Sequence, residues 1–159
     1  MENAKNSLEV KRVELPELLM IGIPVNVSFK HGDFGKIGRN KAEFKRRLDE
    51  IPNAVNRDEF YAPWYNCEVM FTYFYCLQVS SLDHIPEGMM GFSIPAHPYL
   101  LAEYDGVYPF EPDPYAVIQQ YREEHGMKVN KEAMILEKYT FARDGVEGKL
   151  AIAVYAPIE

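Results

Sequence analysis

"AMILEKYTF", Ala133 to Phe141, places a carboxylate in a row of apolar and aromatic side chains. Side chains of a strand alternate between its two faces. One face of this segment carries Met134, Leu136, Lys138 and Thr140, and the other carries Ile135, Glu137, Tyr139 and Phe141. Burying a carboxylate is costly unless it gains a hydrogen bond, a cation or a proton. Two readings of Glu137 follow. It is a structural group bonded to a tyrosine or lysine, or it waits in a pocket for a cationic ligand. Aromatic walls would add cation–π attraction in the second case.

Working outward, "AMILEKYTF" and "KLAIAVYAPIE" (Lys149 to Glu159) read as a closing hairpin around the turn "RDGVEG" (Arg143 to Gly148). Further strands are read in "VELPELLMIGIPVNV" (Val13 to Val27) and "EVMFTYFYCLQVS" (Glu68 to Ser80). "MMGFSIPAHPYLLAEYDG" (Met89 to Gly106) reads as two strands broken around Pro95 and Pro98. Two segments read as helices. In "GRNKAEFKRRLDEIPN" (Gly38 to Asn53), Phe44, Leu48 and Ile51 mark an apolar face. Lys41, Lys45, Arg46 and Arg47 read as a solvated basic face, and Pro52 ends the segment. In "DPYAVIQQYREEHGM" (Asp113 to Met127), Asp113 caps, Pro114 takes the first helical position, and Val117, Ile118 and Tyr121 form a stripe. Gly126 fits the left-handed position past its end.

The order is strand, helix, strands, then strand, helix, strands. "PELLMIG" (Pro16 to Gly22) and "PYLLAEYDG" (Pro98 to Gly106) lead into the two halves. The expected fold is α+β: a single domain over 1–159, with pseudo-repeats at about 8–80 and 88–158. Duplicated strand-helix-strand-strand units would share an antiparallel sheet, with both helices on one face and a central ligand groove between them.

The length of 159 residues suits one domain, and 47% hydrophobic content allows a sizeable core. Seventeen Lys and Arg stand against 24 Asp and Glu, a net charge of −7, which opposes generic phosphate binding and favours a small cation. No direct nucleic-acid contact is therefore expected. Cys67 and Cys76 form no CxxC motif, the opening "MENAKNSLEV" has no apolar signal core, and no apolar run reaches membrane-spanning length. The expectation is a soluble cytoplasmic protein with no membrane partner. His31, His84, His97 and His125 show no metal-ligand spacing, so neither a metal nor a cofactor is expected. "HGDFGKIGRN" (His31 to Asn40) lacks the phosphate-loop ending and reads as a flexible connection. Glu68 and Glu103 read as structural acids bonded to a tyrosine or a lysine.

The chain also resembles a known family. The resemblance is carried by "FTYFYCLQVSSLDHIPEGMMGFSIPAHPYLLAEYDG" (Phe71 to Gly106), "PYAVIQQYREEHGMKVN" (Pro114 to Asn130) and the ending "LEKYTF…LAIAVYAPIE". Their order, with "VELPELLMIGI" as a first strand, resembles the GyrI-like family, the effector-binding domains of AraC-type bacterial transcription activators. The resemblance covers nearly the whole chain and implies a stand-alone member that binds a small aromatic or cationic molecule, as a sensor or by sequestration. Multidrug binding and transcription regulation are the family's settings. It implies two alternatives: hydrolysis of electrophilic, cyclopropane-containing toxins, or action on a protein partner in the manner of gyrase inhibitors. In "L-E-x-Y" the resemblance makes Glu137 the pocket acid, and the catalytic residue if the chain is a hydrolase. Many relatives carry Glu where this chain has Gln78, which hydrogen-bonds but takes no proton at neutral pH. Trp64, Tyr73, Tyr75, Tyr104 and Tyr155 are the candidate aromatic walls.

Overall fold

The structure, a computed structural model, describes residues 8–144 and 149–159. The start of "MENAKNSLEV" and the tip of "RDGVEG" lie outside the described residues. The elements are β1 (Val10–Leu15), β2 (Leu18–Ser28), α1 (Gly35–Arg46), β3 (Glu59–Asn66), β4 (Met70–Val79), β5 (Met90–Ile94), β6 (His97–Val107), α2 (Pro114–Glu124), β7 (Ile135–Thr140) and β8 (Lys149–Pro157). They form one eight-stranded sheet in the order β1-β6-β8-β7-β3-β4-β2-β5, with antiparallel neighbours throughout. The α+β expectation holds.

Prolines decide several strand ends. The first apolar run reads as one strand, but Pro16 and Glu17 split it into β1 and β2. Pro95 ends β5, whereas Pro98 lies inside β6, paired with Glu14. β3 is absent from the sequence reading, and it carries Pro63, a residue that disfavours central strands. It is tolerated near the sheet centre. The ladder to β4 skips from Tyr61↔Cys76 to Trp64↔Tyr73, so Pro63 is not asked for the N–H it lacks.

The sheet must curl. β1 and β2 are first and seventh in the strand order, about 29 Å apart if the sheet were flat. Only Pro16 and Glu17 join them, a reach of about 11 Å. β5 and β6 repeat the arrangement through Pro95 and Ala96. Each short lead strand therefore crosses to the other half. Curling closes the helix-free face on itself. Met20, Cys76 and Leu136 are fully buried there, beside Tyr99, Tyr61 and Tyr155.

The other face is covered by the helices. Phe44 of α1 and nearby Ile51 pack on Ile21, Phe60 and Leu77. Ile118 of α2 packs on Leu100, Ile152 and Val154. Ala62 under the first cluster and Val154 under the second both lie across from Glu137 in register. Both helices thus sit on one face, with Glu137 in the strip between them.

α1 differs from its expected bounds. It starts at Gly35, inside the segment read as a connection, and ends at Arg46, followed by a short 3-10 turn at Leu48–Glu50. The expected solvated basic face is also corrected. Lys41 Nζ lies 2.6 Å from Asp144 Oδ1, and Lys45 pairs with the other oxygen of a side chain only 5% exposed. Arg46 and Arg47 pair with Glu43 and Glu50. Burial opposes the charge on Asp144, but its hydrogen bonds to Lys41 and Lys45 outweigh it and hold the carboxyl below the usual range. A depressed folded-state value gives stability above the ordinary Asp range that is lost as pH falls through the folded value. Asp144→Asn is expected to lower stability by about 1 kcal/mol at neutral pH, the lysines being partly exposed. It should also flatten the acid limb, which denaturant titration across acidic pH would measure.

Candidate small-molecule site

Glu137 stands in the middle of β7 and is 8% exposed. Its cross-strand partner on β3 is Ala62, whose short side chain leaves space above the sheet. Tyr139, two residues along the same face, donates its hydroxyl to Glu137 Oε1 at 2.6 Å. Tyr73 of β4 donates to the same oxygen at 2.5 Å. The third donor comes from α2. Asp113 Oδ1 accepts from the Tyr115 amide at 2.9 Å and Pro114 starts the helix, which fixes Tyr115 in the first turn. From there the Tyr115 hydroxyl donates to Glu137 Oε2. Trp64 Nε1 donates in turn to the Tyr115 oxygen at 3.0 Å.

A carboxylate offers about four lone-pair sites. Three are filled, and the open one is on Oε2. Among the described residues no Lys, Arg or His pairs with Glu137. Its carboxyl is hydrogen-bonded but has no cation beside it among the described residues. A cavity of about 400 Å³ opens onto it, lined by Phe29, Trp64, Phe71, Tyr73, Tyr115 and Glu137. Phe71 stacks with Phe29 at 5.7 Å and with Phe34 at 5.8 Å, and both partners are substantially exposed. No cluster of acidic, His and Cys side chains suited to a metal occurs among the described residues.

Burial, reinforced by the Glu137 charge, pushes the Tyr73, Tyr115 and Tyr139 hydroxyls far above the ordinary phenol range. They remain donors at any physiological pH. A raised folded value means that their contribution to stability is complete below about pH 10 and is lost as pH rises towards the folded values. These three tyrosines are expected to form phenolate only as the protein unfolds. Ultraviolet titration tests this: Tyr73→Phe should remove amplitude from the late alkaline phase and leave the early phase unchanged.

The structure sorts the other sequence candidates. Trp64 and Tyr73 join Glu137 in the cavity. Tyr75 shares their face but lies behind Tyr73, edge-on at 5.2 Å, between Phe44 and Phe60. Burial pushes its hydroxyl up to about 12. Tyr104 is packed under α2 against Phe110, donating to the Val107 carbonyl at 2.6 Å, and does not line this cavity. Gln78 and Tyr155 are corrections. Gln78 pairs with Met20, which is buried on the helix-free face, and strand alternation puts Gln78 there, opposite to Tyr73. Tyr155 pairs with Leu136 on that same far face, with Lys138 Nζ 5.8 Å from its ring centre. Tyr115, Tyr139, Phe29 and Phe71 are missing from the sequence set. Alternation from Glu137 points to Tyr139, and alternation from Tyr73 points to Phe71. No local signal brings Tyr115 or Phe29 to the site, because each arrives on a separate element.

No curated protein matches the chain by sequence. Solved structures do match its fold. The C-terminal domain of EcmrR is 14% identical with a TM-score of 0.72, over 96% of this chain and 98% of that one. SAV2435 bound to tetraphenylphosphonium is 14% identical with a TM-score of 0.67, over 95% and 94%. An integron cassette protein from the mobile metagenome of Vibrio cholerae is 16% identical with a TM-score of 0.62, over 96% and 97%. The fold that the resemblance implied is therefore upheld. No helix among the described residues is long and apolar enough to cross a membrane. The family model for integron-associated effector binding proteins, Cass2, matches residues 12–158, and the chain belongs to that small-molecule-binding family.

Proposed function

We propose that the chain binds a cationic aromatic small molecule in the groove between α1 and α2, as a sensor or by sequestration. One observation carries the reading: the Glu137 carboxyl is buried and held by three phenols, with no cationic partner among the described residues. A ligand cation would supply the missing charge at the open lone pair of Oε2. Trp64, Tyr73 and Phe71 would offer ring faces to its aromatic groups. The tetraphenylphosphonium bound by SAV2435 is a ligand of this chemistry on the same fold.

Trp64 is the chain's single tryptophan, so its fluorescence reports on the groove. Titration with tetraphenylphosphonium is expected to change that emission saturably and to raise the melting temperature through linkage. Neutral triphenylphosphine oxide should act more weakly. An equal response to both would overturn the cationic reading.

Hydrolysis is the second reading, favoured by the same open lone pair on Oε2, which could orient one water. Turnover of an electrophilic aromatic compound, abolished in Glu137→Gln, would establish it.

A further inference from the structure

A second cavity of about 390 Å³ borders the one at Glu137, and the two share Trp64 and Asn66 as lining residues. Its walls include Val129, Ala133, Ile135 and Pro157, and among the described residues its only charged lining residue is Lys131. We infer that the groove has two compartments and takes an elongated zwitterionic aromatic molecule, its cation at Glu137 and its carboxylate at Lys131. This rests on the cationic reading of Glu137 and extends it to the far end of the ligand.

Three observations support the assignment. Ligand sites for drug-sized molecules span roughly 300–1,000 Å³, so each compartment alone is at the small end and the pair suits an extended molecule. The charges are opposite and separated: Glu137 lacks a cation, and Lys131 has no ion pair among the described residues. Glu132 and Glu159 border Lys131 in a further, open cavity, but among the described residues neither forms an ion pair with it. Asn66 also contributes a side-chain amide with no partner among the described residues, at the junction of the two compartments. A net charge of −7 repels free anions. Lys131 would therefore act on a carboxylate already tethered through the cation, at high effective concentration.

The test uses a matched pair of dyes: a xanthylium cation carrying a free benzoate, and its methyl ester. Both are titrated against the whole chain, with fluorescence anisotropy as readout. The wild type should prefer the benzoate form. Lys131→Gln should weaken that form by about fivefold and leave the ester unchanged, and Lys131→Glu should reverse the preference. Glu137→Gln should weaken both dyes. Lys131 is exposed, so its variants are expected to fold like the wild type. If the Lys131 variants bind both dyes as the wild type does, the second compartment is not an anion subsite. If the wild type binds neither dye, the cationic reading of Glu137 fails, and this inference with it.

Discussion

Glu137→Gln is expected to weaken a cationic ligand by about ten- to a hundredfold, and a neutral ligand of the same shape far less. The substitution keeps size and hydrogen-bonding capacity while removing charge. The Gln oxygen can still accept from Tyr73 and Tyr139, which both donate to Oε1 in the wild type. Its amide then faces the Tyr115 oxygen, which also accepts from Trp64. The network is rewired but not emptied, so stability should change by no more than about 1–2 kcal/mol. Titration calorimetry with the phosphonium cation and its neutral oxide measures the difference. Equal losses for both ligands would mean that Glu137 acts only as a structural acceptor for three tyrosines. Loss of binding accompanied by a large drop in melting temperature would mean the same.

Gly22→Ala should be the most damaging conservative change in the sheet. Gly22 lies inside β2, between Cys76 of β4 and Met90 of β5. A Cβ built there would lie 1.9 Å from the Tyr75 carbonyl oxygen and 2.6 Å from the Cys76 Cα. Those are backbone atoms of a neighbouring strand and cannot rotate away. The expected cost is about 3 kcal/mol or more, or roughly 6–12 °C in melting temperature. Tyr75 packs edge-on against Tyr73, so a shift of β4 would also disturb the hydroxyl that holds Glu137. Gly38 is the control. It lies in α1, and a Cβ there would meet nothing within 4 Å. Gly38→Ala should stabilise by about 0.5–1 kcal/mol through helix propensity. Urea midpoints of the two variants should move in opposite directions, and a common direction would contradict the packing described for β2.

Alternation along "AMILEKYTF" was enough to set Glu137 and Tyr139 on one face of β7, because period two is a property of the local backbone. The α2 start was equally legible, since an Asp cap followed by Pro acts within one turn. The α+β class followed from the order of periodic segments. Local pattern failed where the answer depended on a neighbour. β3 went unread, and it holds Pro63 inside the sheet because the ladder to β4 skips that position. Lys41 and Lys45 read as solvated, yet Asp144, 103 positions beyond Lys41, binds both.

The site divides in the same way. Composition supplied many tyrosines, but only strand register says which of them face one another. Gln78 and Tyr155 fall on the far face because each is tied by pairing to a core residue there, Met20 and Leu136. Tyr115 reaches Glu137 only because α2 returns across the sheet to the strip beside β7. The sequence alone determined that a carboxylate would sit among aromatic side chains on a strand. Tertiary structure decided that three phenols from β4, α2 and β7 would hold it without neutralising it. Hydrogen bonds between distant segments depend on where the folded sheet places them, and the curl and crossing of the two halves are set by packing across the whole chain.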